Sequence, residues 1–326
     1  MSLFLFVATI FILVLALIWK IKKITLVDFE ALYFEELQSS GGNPYHVLVH
    51  PLMGYLWAQW YVTNDHKWRD KDWRRDGTRE LKNPHNVLIG DIIYVEASAL
   101  HTFYESYLPY IRSSFILITG RFNLPQVMRT NETDELLRHP MLWHWFSQNP
   151  IYENESKYTG IPYGLNVNNL HVMSSELLRN APLRTNEVLH AGLSETNAER
   201  KILMSFQDSK MSLYKFYEQL HRSIVVISPC GDRCDCYRHA EAILLGCVPI
   251  GQLPSSYLSI YGDAYVNLDH VVLNRIARTR RIPKELKLPQ LDISKQKMML
   301  QRYWKFIIHE NQEMCRIMNK NMNISH

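Results

Sequence analysis

Positions 228–250 hold the densest group of chemically capable residues. They read Ser228-Pro229-Cys230-Gly231-Asp232-Arg233-Cys234-Asp235-Cys236-Tyr237-Arg238-His239-Ala240-Glu241-Ala242, then an apolar run to Gly246-Cys247-Val248-Pro249-Ile250. The pattern predicts a strand over Ile224–Ser228, a glycine-containing loop, a helix over Cys236–Leu245 and a strand over Val248–Ile250. Asp235 stands where an N-cap belongs and Gly246 where a C′ glycine belongs. The loop, with Gly231, and the first helical turn would offer backbone N–H groups to an anion. Arg238 follows Asp235 by three residues and Glu241 follows Arg238 by three, so all share one side of the helix start. A cation for a diphosphate beside a carboxylate for ribose hydroxyls is the equipment of a nucleotide-sugar site. On spacing alone, the plainer reading is an N-cap aspartate and an Arg–Glu ion pair on a solvated helix.

Other candidate chemistries are weaker. Cys230, Cys234 and Cys236 are spaced C-x3-C-x-C with His239 nearby, which is not a usual zinc spacing. A local disulfide or plain thiols fit better. The five cysteines are odd in number, so at least one is free or pairs with another chain. Cys247 reads as a small buried residue and Cys315 stands alone. Asp70-Lys71-Asp72 has the D-x-D form that can hold a divalent ion, but it lies among Arg69, Trp73, Arg74 and Arg75 in a charged stretch. It reads as a solvated loop, and no metal is expected. Tyr55, Trp57, Trp60, Tyr61, Trp68 and Trp73 could stack on sugar rings, although aromatics at this spacing more often form core.

These residues need elements to position them. The 326-residue chain is 47% hydrophobic and 21% charged, which excludes a disordered chain and allows two domains. A net charge of +4 argues against a nucleic-acid binder. Leu3–Trp19 is an uncharged apolar run followed by Lys20, Lys22 and Lys23, and it reads as an uncleaved membrane anchor. A stem with a helix over Asp28–Gln38 is expected next. From residue 87 the rhythm becomes strand and helix. Ile92–Val95 and Phe115–Thr119 are strands around a helix at Ala97–Tyr110. A second series begins with the strand Val188–Ala191 and the helix Glu195–Phe206. It adds a strand at Ala264–Leu268 and ends in one long helical stretch over 291–318. Two α/β domains with parallel sheets follow, with ligands expected at the carboxyl ends of the strands and in the cleft between domains.

The run S-P-x-G-x-x-x-D-x-x-R-x-x-E-A with its Gly246 and Pro249 resembles the C-terminal signature of exostosin-like glycosyltransferases (family 47 and its relatives). Upstream, Ile116-Leu117-Ile118-Thr119, Trp145-Phe146-Ser147-Gln148-Asn149, Lys157 and Ile161-Pro162-Tyr163-Gly164-Leu165-Asn166 are similar to that family's pattern, as is Ala191–Arg200. The resemblance covers roughly 90–270. It departs after Thr119, where Gly120-Arg121-Phe122-Asn123 replaces a polar stretch.

The resemblance implies the GT-B arrangement, two Rossmann-like domains facing a cleft. The expected division is an anchor with its basic flank (1–23), a stem (24–45), an acceptor-side domain (46–184), a nucleotide-sugar domain (185–290) and a C-terminal helix (291–326). It implies Glu241 on the ribose or base, and Arg238 and Arg200 on the diphosphate, beside Gly231 and Asp235. Retaining enzymes of this architecture often pair glutamates eight residues apart. Pro249 stands eight after Glu241, so inversion is expected. The general base should then come from a first-domain loop, with Glu96 first and His101 and Asp91 behind it. The expected partners are a nucleotide-sugar co-substrate, a glycan or glycoprotein acceptor, the membrane, and room for a homo- or hetero-oligomer. The competing reading is an inactive relative that binds glycans or partners another transferase. The lysine flank alone would put the catalytic part in the cytosol. The resemblance and the sequons at Asn131, Asn154 and Asn323 favour the lumen of the Golgi or ER.

Overall fold

The computed structural model describes residues 29–64, 78–120, 124, 126–179, 182–291 and 293–324. The expected anchor with its lysine flank, Asp70 and Asp72, and Arg121–Asn123 lie outside these residues. Among the described residues no helix is long and apolar enough to cross a membrane.

The fold is mixed α/β with two parallel sheets. The first contains β1 (Trp60–Val62), β2 (Arg79–Glu80), β3 (Asp91–Glu96), β4 (Phe115–Gly120), β5 (Leu142–Ser147) and β6 (Tyr158–Gly160), in the order β2-β1-β3-β4-β5-β6. β3 and β4 are buried along their whole length and pair in register from Asp91↔Phe115 to Glu96↔Gly120. Their unbroken apolar sequences fit a sheet covered on both faces. The chain moves outward in opposite directions from β1 and β3, so a topological switch point lies between those strands. Val62 and Glu96 are their last residues.

The second sheet contains β7 (Asn186–Leu189), β8 (Ser223–Ile227), β9 (Val248–Gly251) and β10 (Val266–Asn267), in the order β10-β9-β8-β7 and parallel throughout. Both sheets are consistent with Rossmann-like domains.

One apolar core runs through both halves. Ile92, Tyr94, Ile116, Ile118 and Phe146 from one face of the first sheet belong to the same cluster as Leu189, Val226, Ala240 and Ile243 from the second half. The opposite faces have their own cores. Phe103 and Leu136 pack over the first sheet, Leu203 and Ile276 over the second.

Two segments differ from expectation. The helix Phe29–Ser39 is not a free-standing stem, because Phe29, Leu32, Tyr33 and Leu37 are buried in the shared core. The Tyr33 hydroxyl also donates to Ser174 Oγ at 2.6 Å. The expected single C-terminal helix is two, Ile293–Lys297 and Gln301–Ile324. At the break, residues 299–301 run beside 47–49. Val49 N–H donates to Met299 O at 2.9 Å, and Gln301 N–H to Val47 O at 2.8 Å. The longer helix then lies against the first half, where Gln312 Nε2 donates to Gly90 O at 2.8 Å.

Candidate functional site

The loop after β8 is held in shape by the helix Ala198–Met204. Asn197 caps that helix, accepting from Arg200 N–H at 2.9 Å. The Asn197 amide donates to Cys230 O at 2.9 Å and Gly231 O at 3.0 Å. Arg200 Nε donates to Cys230 O and Nη2 to Pro229 O, each at 3.0 Å. A Cβ on Gly231 would stand 3.0 Å from that guanidinium, so the close approach favours glycine. Arg200 is only 6% exposed. It is therefore neither a surface helix charge nor an open diphosphate ligand: most of its donors shape the loop. Gly231 N–H likewise turns inward, to Arg233 O at 2.7 Å.

Asp235 is not the N-cap of the following helix. Cys236 holds that position, and the helix is Tyr237–Leu244. Asp235 is buried and joins the two halves. Its Oδ2 accepts from Tyr163 N–H at 2.7 Å and its Oδ1 from the Tyr261 hydroxyl at 2.5 Å. Around it, Tyr163 stacks on Tyr237, and the Arg233 guanidinium lies 4.1 Å from the Tyr163 ring centroid. These contacts use the groups expected to bind a donor, so Asp235 clasps the halves.

Arg238 and Glu241 keep a different environment. Arg238 Nη2 donates to Gly192 O, just beyond β7, and its guanidinium lies 5.8 Å from the Phe216 ring centroid. Among the described residues, its buried Nε has no hydrogen-bond partner. Glu241 is buried and accepts from the Tyr217 hydroxyl at 2.8 Å. Burial pushes its carboxyl up to about 7, with Tyr217 and Arg238 opposing the rise. Among the described residues the two side chains form no ion pair with each other, so the solvated-helix reading is corrected. Gly246 ends the helix at φ +69°, as its position predicts.

On the β9–β10 side of the loop lies a hollow of about 540 Å³. Glu199, Gln252, Asn267, Asp269 and the Cys230–Cys234 disulfide line it. Its size suits a small polar ligand. No group of three or more His, Cys, Asp or Glu side chains is arranged for a metal among the described residues.

The three expected bases are separated. Glu96 is 1% exposed at the carboxyl end of β3, on the switch point, and accepts from the Thr63 hydroxyl beyond β1. Asp91 begins the same strand, about 16 Å away at 3.3 Å per residue. Its Oδ2 accepts from Trp60 Nε1 at 2.7 Å and Leu88 N–H at 2.9 Å. It sits at the amino end of the sheet and is structural, which corrects its place among the bases. His101 lies on the helix Leu100–Ser106, whose Leu100 and Phe103 pack on the face of the first sheet away from the second half. The ring is exposed and meets Glu132 at 3.0 Å and Glu105 at 3.4 Å, which raise its pKa. It is a surface ion-pair residue.

The sequence reading did not give roles to Tyr163, Tyr217, Tyr261 or His239. Only His239 carried a local signal, three residues after Cys236 and four after Asp235 on one helical face. No family model matches the chain, and no curated protein matches it.

Proposed function

We propose that the protein is a membrane-anchored, inverting glycosyltransferase of the exostosin-like kind, with a GT-B arrangement, moving a sugar from a nucleotide-sugar to a glycan acceptor. The observation that carries the reading is Arg238, whose buried Nε lacks a partner among the described residues and which lies beside the buried Glu241 at the rim of the second sheet. A diphosphate oxygen would satisfy the guanidinium, and ribose hydroxyls would donate to the carboxylate. Arg200 and Asn197 support the site by holding the loop. Glu96 would take the proton of the attacking acceptor hydroxyl.

The test is titration with uridine and guanosine diphosphates. At pH 8, above the raised carboxyl pKa of about 7, Glu241→Gln keeps the shape and removes the charged acceptor. Charge-assisted bonds contribute about 1.5–3 kcal/mol, so affinity should fall about ten- to a hundredfold with folding intact. Unchanged affinity would sink the donor assignment. The engagement of Asp235 and Arg200 within the protein favours a second reading, an inactive glycan-binding relative. A parent protein that binds no nucleotide would leave that reading standing.

We place the catalytic part in the lumen of the Golgi or ER. Asn131 and Asn154 are both exposed, as carriers of N-linked glycan must be. Expression in eukaryotic cells should give a chain shortened by glycosidase. A chain without glycan, cleaved by protease added outside sealed microsomes, would reverse the orientation.

A further inference from the structure

A second cluster opens the helix Tyr237–Leu244, and the donor reading does not use it. The Cys236 Sγ lies 3.6 Å from His239 Nε2 and 3.7 Å from Ser228 Oγ. His239 is fully buried. Its Nε2 lies 3.0 Å from the Ser228 carbonyl, a group that only accepts, so that nitrogen carries a proton. Its Nδ1 can accept from the Cys236 N–H at 3.4 Å and also lies 3.3 Å from Asp235 Oδ1. The carboxylate is the closer and the charged neighbour, and it favours a proton on this nitrogen too. A buried imidazolium needs anions around it. Asp235 supplies one, although it also serves Tyr163 and Tyr261. The adjacent sulfur is placed to supply the other.

The remaining neighbours push in the same direction. Arg238 and Arg200 add positive charge near the sulfur, and the helix N-terminus adds its dipole. Burial alone would raise the Cys236 pKa, but His239, with Arg238 and Arg200, more than reverses this and holds it below the ordinary thiol value. Burial alone would lower the His239 pKa, but the sulfur and Asp235 hold it up at about 10. The Tyr261 and Tyr265 hydroxyls, which also face the cluster, stay protonated, their pKa raised by burial. Glu241 also interacts with the sulfur, and it is itself shifted upward.

Cysteine arithmetic adds an independent argument. Cys230 and Cys234 are joined, and Cys247 and Cys315 are buried with raised pKa values. Cys236 is left as the unjoined cysteine whose residue is not fully buried, two residues from a disulfide.

We propose that Cys236 is a thiolate held against His239 and Asp235, and that it is the site where this protein takes up a low-molecular-weight disulfide. The thiolate attacks one sulfur of the incoming disulfide. A new S–S bond forms to Cys236 while the old one breaks, and the leaving half departs as a thiolate that takes a proton from water. Cys236 is oxidised and the departing half is reduced, so no other reactant is needed.

The test uses the purified full chain under non-reducing conditions with the dinitrobenzoate disulfide reagent, whose released aryl thiolate is coloured. The expected result is one rapid equivalent per chain. Its rate should have a pH midpoint well below the about 8.5 of an ordinary thiol. Peptide mapping should place the adduct on Cys236. Cys236→Ser should abolish the rapid phase, and His239→Gln should move the midpoint back toward the ordinary value. Should His239→Gln fail to fold, the parent's own pH profile decides. A midpoint at or above about 8, or an adduct on Cys247 or Cys315 with Cys236 unreacted, overturns the proposal.

Discussion

Glu96 and Asp91 are two buried carboxylates at opposite ends of one strand, and their positions separate their roles. If Glu96 is the general base, Glu96→Gln should lower the transfer rate by about 10²–10⁴ while leaving nucleotide affinity near that of the parent. Asp91→Asn should leave the rate constant nearly unchanged. It should cost about 1–3 kcal/mol in urea unfolding, because Trp60 Nε1 and Leu88 N–H lose a charged acceptor. Equal rates for parent and Glu96→Gln would remove Glu96 from the chemistry. The sequence showed that both residues flank an apolar run, and strand polarity alone put only Glu96 at a carboxyl end. It could not show that Asp235 would be taken up by Tyr163, 72 residues earlier, because that bond exists only once the halves meet.

At the scale of elements, the links between strands carry much of the specificity. Gly164 has φ +84°, and a Cβ there would stand 2.4 Å from Val49 O. That carbonyl accepts from Leu165 N–H at 2.8 Å, so it cannot move aside freely. Gly164→Ala should cost more than about 2 kcal/mol and lower the melting temperature by several degrees. Gly41→Ala is the control. Its φ is +70° but the space around it is open, so only the backbone cost of about 1 kcal/mol applies. Similar melting temperatures for the two variants would show that the 164–49 contact is loose. Strands β3, β4 and β9 were legible because burial on both faces leaves continuous apolar runs, and β8 because Val225–Ile227 does the same after the exposed Ile224. The two-residue edge strand β2, Arg79–Glu80, carries no apolar signal, since only its pairing with β1 makes it a strand. The break before Gln301 was hidden for a similar reason. Residues 298–300 have helical character in sequence and give it up where Leu300 pairs with Leu48.

Acid should weaken the molecule as a whole. His50 is fully buried; it accepts from Leu52 N–H at Nδ1 and its Nε2 faces Tyr45 O, an arrangement suited to the neutral ring. Burial holds its pKa down to about 3. His190 is also fully buried, and burial with nearby Arg280 and Arg238 holds it down to about 4. In the unfolded chain both return to about 6.5. Below that pH the unfolded state binds protons that the folded state refuses, so stability present above about 6.5 is lost as pH falls. Each group contributes up to about 1.4 kcal/mol per pH unit in that window. Glu241, raised to about 7, opposes this in the same window, but the two rings outweigh one carboxyl, so the urea midpoint should drop between about pH 7 and pH 5; in Glu241→Gln, which lacks the opposing group, a flat midpoint would mean that neither ring is held neutral.

The path of the Gln301–Ile324 helix has a consequence in time. The ribosome releases the first sheet early, yet Gly90 and Val47 find their partners at Gln312 and Gln301, more than two hundred residues later in synthesis. Until those residues emerge, Leu48 and the first-half surface around Gly90 stay uncovered. The first half is thus made first but finished last, and a nascent chain stalled before residue 300 would expose apolar surface to chaperones rather than present one completed domain.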